Sequence, residues 1–291
     1  MSVNSNLSGV IAPVLTPFGD DGTPDSERFV EHCEWLLDEG CTALAPFGTT
    51  SEGPSLGLDE RIELLEALVD AGIDPARLMP GTGAASLSDA IMLTDHAVDI
   101  GCGGVLVLPP YYYKAPSDEG IYRFYSELIE EIGDHRLKVF LYHIPQMTNV
   151  AITPEIVARL VAAFPEEIAG LKDSSGDMAN TRILLEGIER GAAGCISATA
   201  NVAAREIRAL YDSAGKPEAA ALQKTVGALR AAIQQVPLIP GLKALVAHYR
   251  RDPQWLVVRP PLVEMEPDVQ RAFVERLDQE HGFRLLFEAV T

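Results

Sequence analysis

Lys172 ends the apolar run Ile-Ala-Gly-Leu at 168–171 and is followed by Asp-Ser-Ser-Gly at 173–176. A short apolar run bounded by turn residues reads as a strand buried on both faces of a parallel sheet. A lysine closing such a strand admits two readings. Its head can snorkel to solvent along an apolar stem. Alternatively, desolvation disfavours the charged form, and the neutral amine attacks carbonyl carbon to form a Schiff base. Lowering an ammonium from about 10.4 to about 7–8 takes about 4 kcal/mol, so the surroundings must supply it. Hydroxyls in other segments suit the same chemistry. Gly-Thr-Thr-Ser-Glu at 48–52 offers two adjacent threonine hydroxyls and successive backbone N–H groups after a glycine, which makes either a nest for a carboxylate or a turn bonded to itself. Tyr142 carries a phenol that relays protons or merely finds a packing partner. Tyr111–Tyr113 follow two prolines and read as packing, His143 as a structural residue on the outward face, and Glu52 as a pin for its loop rather than a base.

These residues fall at corresponding places in a repeating pattern. Short apolar strands at 9–15, 42–46, 78–81, 105–108, 138–144, 168–172 and 194–199 alternate with amphipathic helices. Thr23 with Pro24 marks the start of the first helix, whose stripe is Phe29, Cys33, Leu36 and Leu37. The second helix, from about 58, presents Ile62, Leu65 and Val69. Ser86 with Asp89 forms a capping box for the third, which buries Ala90, Leu93, Ala97 and Val98. Further helices are expected over 118–132, from 153 and over 177–190. The strand spacing of roughly 30 residues is that of the βα unit of a TIM-type barrel. A doubly wound open sheet would show a Gly-rich phosphate fingerprint after its first strand, where this chain has Thr-Pro-Phe-Gly. The fold class is therefore α/β, a (β/α)8 barrel in which seven strands are recognisable and one βα unit is missing after Lys172. Helices at 201–213, 216–234, 240–250 and 267–279 exceed what one closing helix needs. The expected division is a barrel over 1–213 and a C-terminal helical region over 214–291, and Trp255–Val258 is a possible late extended stretch. In such barrels catalytic groups sit at the C-terminal strand ends. Lys172, Tyr142 and the 48–52 turn all lie there, whereas Lys138 opens its strand and points to the opposite face.

Composition narrows the partners. The 291 residues carry 42 acidic against 23 basic side chains, a net charge of −19, which argues against nucleic acid and anionic membrane. Residues 1–8 are polar and lack the pattern of a signal peptide, and no apolar run approaches membrane length. Cys33, Cys41, Cys102 and Cys195 are scattered in apolar settings and read as free thiols of a reducing cytoplasm. The histidines show no metal-ligand spacing.

In order along the chain stand Gly-Thr-Thr-Ser-Glu at 48–52, Pro-Tyr-Tyr at 110–112, Tyr-His-Ile-Pro at 142–145, Gly-Leu-Lys-Asp at 170–173, Ile-Ser-Ala-Thr-Ala-Asn at 196–201 and Arg-Pro-Pro-Leu at 259–262. With these segments the chain resembles the dihydrodipicolinate synthase/N-acetylneuraminate lyase family of Schiff-base aldolases. The resemblance implies an eight-stranded barrel with a C-terminal helical domain, usually a homotetramer. It implies that Lys172 forms the Schiff base with pyruvate or another 2-oxo acid and that Tyr142 relays protons. Thr49 and Tyr112 would complete the relay, the tyrosine coming from a neighbouring subunit. Thr50 would hold the carboxylate, and Ile196 would line the substrate. The protonated imine is the electron sink, so no metal or organic cofactor is implied.

Two departures bear on the reaction. In the synthase branch an arginine two positions after the Tyr-x-x-Pro proline binds the second substrate's carboxylate; here Met147 stands there. Ser51 also replaces a glycine. Family members further carry a βα unit between the lysine strand and the Ile-Ser strand that is missing here. The expected enzyme is a cytoplasmic carbon–carbon lyase that joins pyruvate to an aldehyde or cleaves the product, in 2-keto-3-deoxy sugar-acid or hydroxy-acid metabolism. The alternatives are 4-hydroxy-tetrahydrodipicolinate synthase, a Schiff-base dehydratase, and a degenerate barrel serving as a binding or scaffold protein.

Overall fold

The computed structural model describes residues 7–175, 188 and 191–281. Its strands are β1 (Gly9–Ala12), β2 (Ala43–Leu44), β3 (Val105–Val107), β4 (Val139–His143), β5 (Ile168–Asp173) and β6 (Gly194–Ile196). All pairings between them are parallel, in the orders β2-β1-β6 and β3-β4-β5. The stretch expected as a third strand forms no full ladder. It makes two isolated parallel bridges, Leu44 with Leu78 and Gly81 with Leu106, and these splice the two halves into one run, β6-β1-β2-(78–81)-β3-β4-β5. Pro80 has no N–H to give to a ladder, which accounts for the interruption.

Alternation along the strands sorts their side chains into two layers. Ile11, Ala43, Ala45, Met79, Leu106, Tyr142 and Ile144 form one buried cluster, the barrel interior, with Phe140 and Ile196 packed on it. Their neighbours Val10, Ala12, Leu44, Leu78, Val105, Val107, Val139 and Leu141 face the other way, into a core shared with the surrounding helices. Those helices are α1 (Ser26–Asp38), α2 (Leu58–Asp70), α3 (Leu87–Asp99), α4 (Asp118–Ile132), the single turn α5 (Pro145–Thr148) and α6 (Pro154–Ala163). This is the βα alternation of a TIM-type barrel. Ser86 caps α3 by accepting from the Asp89 amide, and Thr153 caps α6 by accepting from the Ile156 amide, as the sequence predicts.

Several expectations shift. β1 stops at Ala12 rather than 15, because Pro13 cannot continue the ladder. The cap of α1 is Asp25, which accepts from the Arg28 amide, rather than Thr23. Thr23 is taken by Asp21, and Pro24 bridges to Phe18. On α2 the buried face is Arg61, Leu64, Leu65 and Leu68, a rotation away from Ile62 and Val69, and Arg61 is drawn inward because its guanidinium donates to the Gly53 carbonyl. Trp255 lies in a 3-10 turn, Pro253–Leu256, and is fully buried, so that stretch is not a strand. β5 is only partly buried, with Leu171 46% exposed, against the expectation of burial on both faces. Among the described residues β5 has a ladder partner on one side only, β4. The helix expected over 177–190 lies outside the described residues.

The helices after β6 are α7 (Ala200–Asp212), which also packs on the strand-facing core, then α8 (Ala219–Ile233), α9 (Leu238–Arg250) and α10 (Pro267–His281). They share a second core in which Leu15 and Val202 meet Leu229, Ile233, Leu242, Leu245, Trp255, Phe273 and Leu277. Leu15 follows β1, so this core abuts the strand ends. Among the described residues no helix is long and apolar enough to cross a membrane.

Candidate active site

Tyr142 and Lys172 occupy neighbouring, in-register positions of β4 and β5. Register and alternation therefore send both side chains to the barrel interior. The Lys172 ammonium lies 4.2 Å from the centre of the Tyr142 ring. Tyr142 is buried, and its hydroxyl is 3.2 Å from that of Thr49. One hydroxyl pair thus bridges the end of β4 to the turn after β2 and sits beside the amine. Burial holds the Lys172 pKa below the ordinary lysine value, and the Tyr142 phenol, by charge and hydrogen bond, opposes that shift. The lysine is half-buried, which fits an amine at the lip of the barrel that a small carbonyl compound can reach.

The 48–53 turn is shaped by close backbone contacts. Phe47 (φ 61°) and Glu52 (φ 56°) adopt the left-handed conformation that side chains rarely take. A Cβ on Gly53 or Gly81 would stand 2.1 Å or 2.4 Å from the Phe47 carbonyl oxygen, so only glycine lets this loop close on its neighbour. The Thr16 hydroxyl donates to the Ser51 carbonyl (2.8 Å) and the Ser51 hydroxyl to the Val14 carbonyl, tying the turn to the segment after β1. The Glu52 and Gly53 amides close onto the Thr49 and Gly48 carbonyls. Among the described residues nothing accepts from the amides of Thr50 and Ser51. Thr50 is buried beside them, and successive backbone donors of this kind suit a carboxylate.

Ile196 ends β6, pairs with Ile11 and packs on the interior cluster that contains Tyr142. Tyr112 is not brought in. It is 71% exposed, stacked edge-on against Tyr113, and among the described residues it makes no hydrogen bond to Thr49 or Tyr142. His143 accepts at Nδ1 from the Ile152 amide (3.1 Å), and Lys138 donates to the His135 carbonyl, so both are occupied away from the amine. Met147 is exposed on α5, while its neighbour Gln146 donates to the Ser174 carbonyl and latches α5 to the loop after Lys172. No group of three or more His, Cys, Asp or Glu among the described residues could hold a metal ion.

Sequence reasoning missed two supports. Asn201 donates to the Pro13 and Ala198 carbonyls and accepts from the Leu15 amide (3.0 Å), stitching the ends of β1 and β6 together. Lys243 on α9 is fully buried and meets Glu52 at 2.6 Å. A lone lysine in the run Leu-Ile-Pro-Gly-Leu-Lys-Ala-Leu-Val was the available signal, because a buried cation requires a partner.

The model of the dihydrodipicolinate synthetase family matches residues 6–280, nearly the whole chain. The chain belongs to this family. A DapA-like lyase of Chloroflexus aurantiacus is 35% identical, the match covering 92% of this chain and 96% of that protein. The 4-hydroxy-tetrahydrodipicolinate synthase of Agrobacterium fabrum is 31% identical, over 91% and 96% respectively. Among solved structures, dihydrodipicolinate synthase of Agrobacterium tumefaciens superimposes with a TM-score of 0.85 at 32% identity, covering 93% of this chain and 98% of that one. The protein is therefore an enzyme of the class I aldolase kind, a lyase, built on the same barrel.

Proposed function

We propose that the enzyme forms an imine between Lys172 and pyruvate or a 2-keto acid and makes or breaks the adjacent C–C bond to an aldehyde. The observation that carries this reading is the desolvated Lys172 amine set 4.2 Å from the Tyr142 ring, with Thr49 bonded to the same phenol. The neutral amine attacks the C2 carbonyl, and the Tyr142 phenol gives its proton to the departing hydroxyl, so the carbinolamine loses water and leaves an iminium beside a phenolate that Thr49 meets. In the cleavage direction that phenolate takes the proton of the C4 hydroxyl of a 2-keto-3-deoxy acid as the C3–C4 bond breaks, which restores the Tyr142–Thr49 hydroxyl pair. The bonding electrons move into the iminium, leaving an enamine and a free aldehyde. Protonation of the enamine at C3 and hydrolysis release pyruvate and restore the amine. Thr50 and the amides of Thr50 and Ser51 hold the carboxylate, Ile196 lines the substrate, and Tyr112 joins the relay of a neighbouring copy in a homotetramer or dimer.

The aldehyde partner is assigned from Met147. A thioether cannot bind a carboxylate as a guanidinium does, so the enzyme takes an aldehyde fragment of a deoxy-keto sugar acid or hydroxy acid in preference to the amino-acid semialdehyde of the synthase branch. The relatives named as synthases keep that branch as the second reading. Catalysis belongs to the barrel, 1–213, and bracing to the helical region, 214–291. The barrel is of the eight-stranded plan with one βα unit lost after Lys172, and the four free thiols suit a cytoplasmic enzyme.

Incubation with pyruvate, borohydride reduction and peptide mapping tests the imine. The expected adduct lies on Lys172 and is lost in Lys172→Ala; a folded protein without adduct refutes the reading and favours a binding barrel. A panel of 2-keto-3-deoxy acids then separates cleavage to pyruvate and aldehyde from dehydration. Turnover of pyruvate with aspartate semialdehyde at a comparable rate would overturn the assignment from Met147.

A further inference from the structure

Glu52 closes the turn that carries Thr49 and Thr50, and its carboxylate is directed away from the barrel interior into the C-terminal helical region. There it meets the Lys243 ammonium at 2.6 Å, neither side chain exposing any surface. Its second oxygen accepts from the Arg259 amide (2.9 Å), and Lys243 donates onward to the Val257 carbonyl (2.7 Å). The same segment grips the turn from outside. The Arg259 guanidinium donates to the Ser55 carbonyl (2.9 Å) and to Glu60 (2.6 Å), and the Ser55 hydroxyl donates to the Pro260 carbonyl (3.2 Å). The Phe18 ring lies under both cations, 4.4 Å from the Lys243 ammonium and 4.9 Å from the Arg259 guanidinium.

Stability alone accounts poorly for this arrangement. Apolar residues of similar volume stabilise a buried position as well as a buried ion pair does, or better. What an ion pair adds is direction: a charged group held from two sides has one low-energy place. The turn requires such a constraint, because Glu52 itself holds a left-handed conformation (φ 56°) and lies three residues from Thr49. Burial presses the Lys243 pKa down to about 8 even against the attraction of Glu52, so the pair is kept at a cost.

We propose that the Glu52–Lys243 pair is a positioning device for catalysis, through which the C-terminal helical region fixes the Thr49 hydroxyl against Tyr142. The inference rests on the imine reading above. Lys243 and Glu52 touch no reacting atom; they act through the turn.

The test compares wild type with Glu52→Gln, Lys243→Met and the double variant, each shown to be folded at the assay temperature. The readout is the rate at which pyruvate becomes trapped on Lys172 by borohydride. A merely structural pair predicts that the double variant, with no buried charge left, regains both the melting point and the rate. The positioning role predicts that it regains the melting point while trapping stays slowed by about 10²-fold, the loss that a displacement of about 1 Å produces. A wild-type rate in the folded double variant overturns the proposal. Should the double variant not fold, the isosteric Glu52→Gln decides in the same way: slowed trapping supports the proposal and an unchanged rate overturns it. If wild type itself traps no pyruvate, the imine reading fails. The positioning claim is then judged on a crystal structure of the double or Glu52→Gln variant. A Thr49–Tyr142 separation still at 3.2 Å overturns it, and one beyond hydrogen-bond reach supports it.

Discussion

Acidification from pH 7.5 to 5 is expected to destabilise the fold by about 2 kcal/mol through His32. The ring is fully buried on α1, stacked on Trp35 and edge-on to Trp255 (4.9 Å), with Nε2 3.1 Å from the Asn201 side-chain oxygen. That oxygen is an acceptor, so Nε2 carries the proton, and Nδ1 faces the Arg250 guanidinium at 3.4 Å. Burial first, and the positive charge of Arg250 second, push the pKa from 6.5 down to about 3, with the Asn201 bond opposing. The unfolded chain therefore takes up a proton below 6.5 that the folded chain refuses until about 3. Stability is complete above the unfolded value and declines as pH falls through that window. At about 1.36 kcal/mol per pKa unit, the 1.5 units between 6.5 and pH 5 amount to about 2 kcal/mol. The assay is urea unfolding at both pH values and one protein concentration, for wild type and His32→Gln. The glutamine amide can donate to Asn201 but does not titrate. Its lost stacking, and the change in surface repulsion with pH, are common to both pH values or to both proteins and cancel in the comparison. An equal loss in the two proteins would refute the argument.

The remaining predictions concern the site and the surface. Tyr142→Phe keeps the ring beside Lys172 and removes the phenol that Thr49 meets, so imine trapping slows by about 10²-fold or more while stability falls by only about 1 kcal/mol, as thermal unfolding would register. Asn201→Ala strands the Leu15 amide and the Pro13 carbonyl in a buried place, and chemical denaturation is expected to show a loss of about 3 kcal/mol. With a net charge of −19, the chain repels itself. Raising KCl from about 0.1 to 1 M shortens the screening length from about 10 to 3 Å and is expected to raise the melting temperature by several degrees in calorimetry. An unchanged or falling melting temperature would contradict that account.

How far the sequence leads depends on how local the physics is. The cap of α3 by Ser86 and that of α6 by Thr153 are satisfied within one helical turn, so both were legible. Lys172 and Tyr142 were legible because a strand end is marked by its own residues and strand ends share one rim of a barrel. The register that sets those two side by side, with Thr49 on the phenol, is a long-range property that only the fold supplies. Errors arise where a distant partner outweighs local preference. α2 turns Arg61 inward because its guanidinium serves the Gly53 carbonyl, and Trp255 enters a core assembled by helices on either side of it in the chain. Tyr112, placed in the relay on the strength of its motif, stands exposed within the single chain, because the motif marks a residue without showing what it meets. Glu52 combines both limits. Its place after Thr-Thr-Ser identified it as a pin, but the cation it is pinned to lies on a helix most of the chain away. Local sequence thus marks the candidate reactive groups, and non-local contacts decide whether those groups are held where reaction is possible.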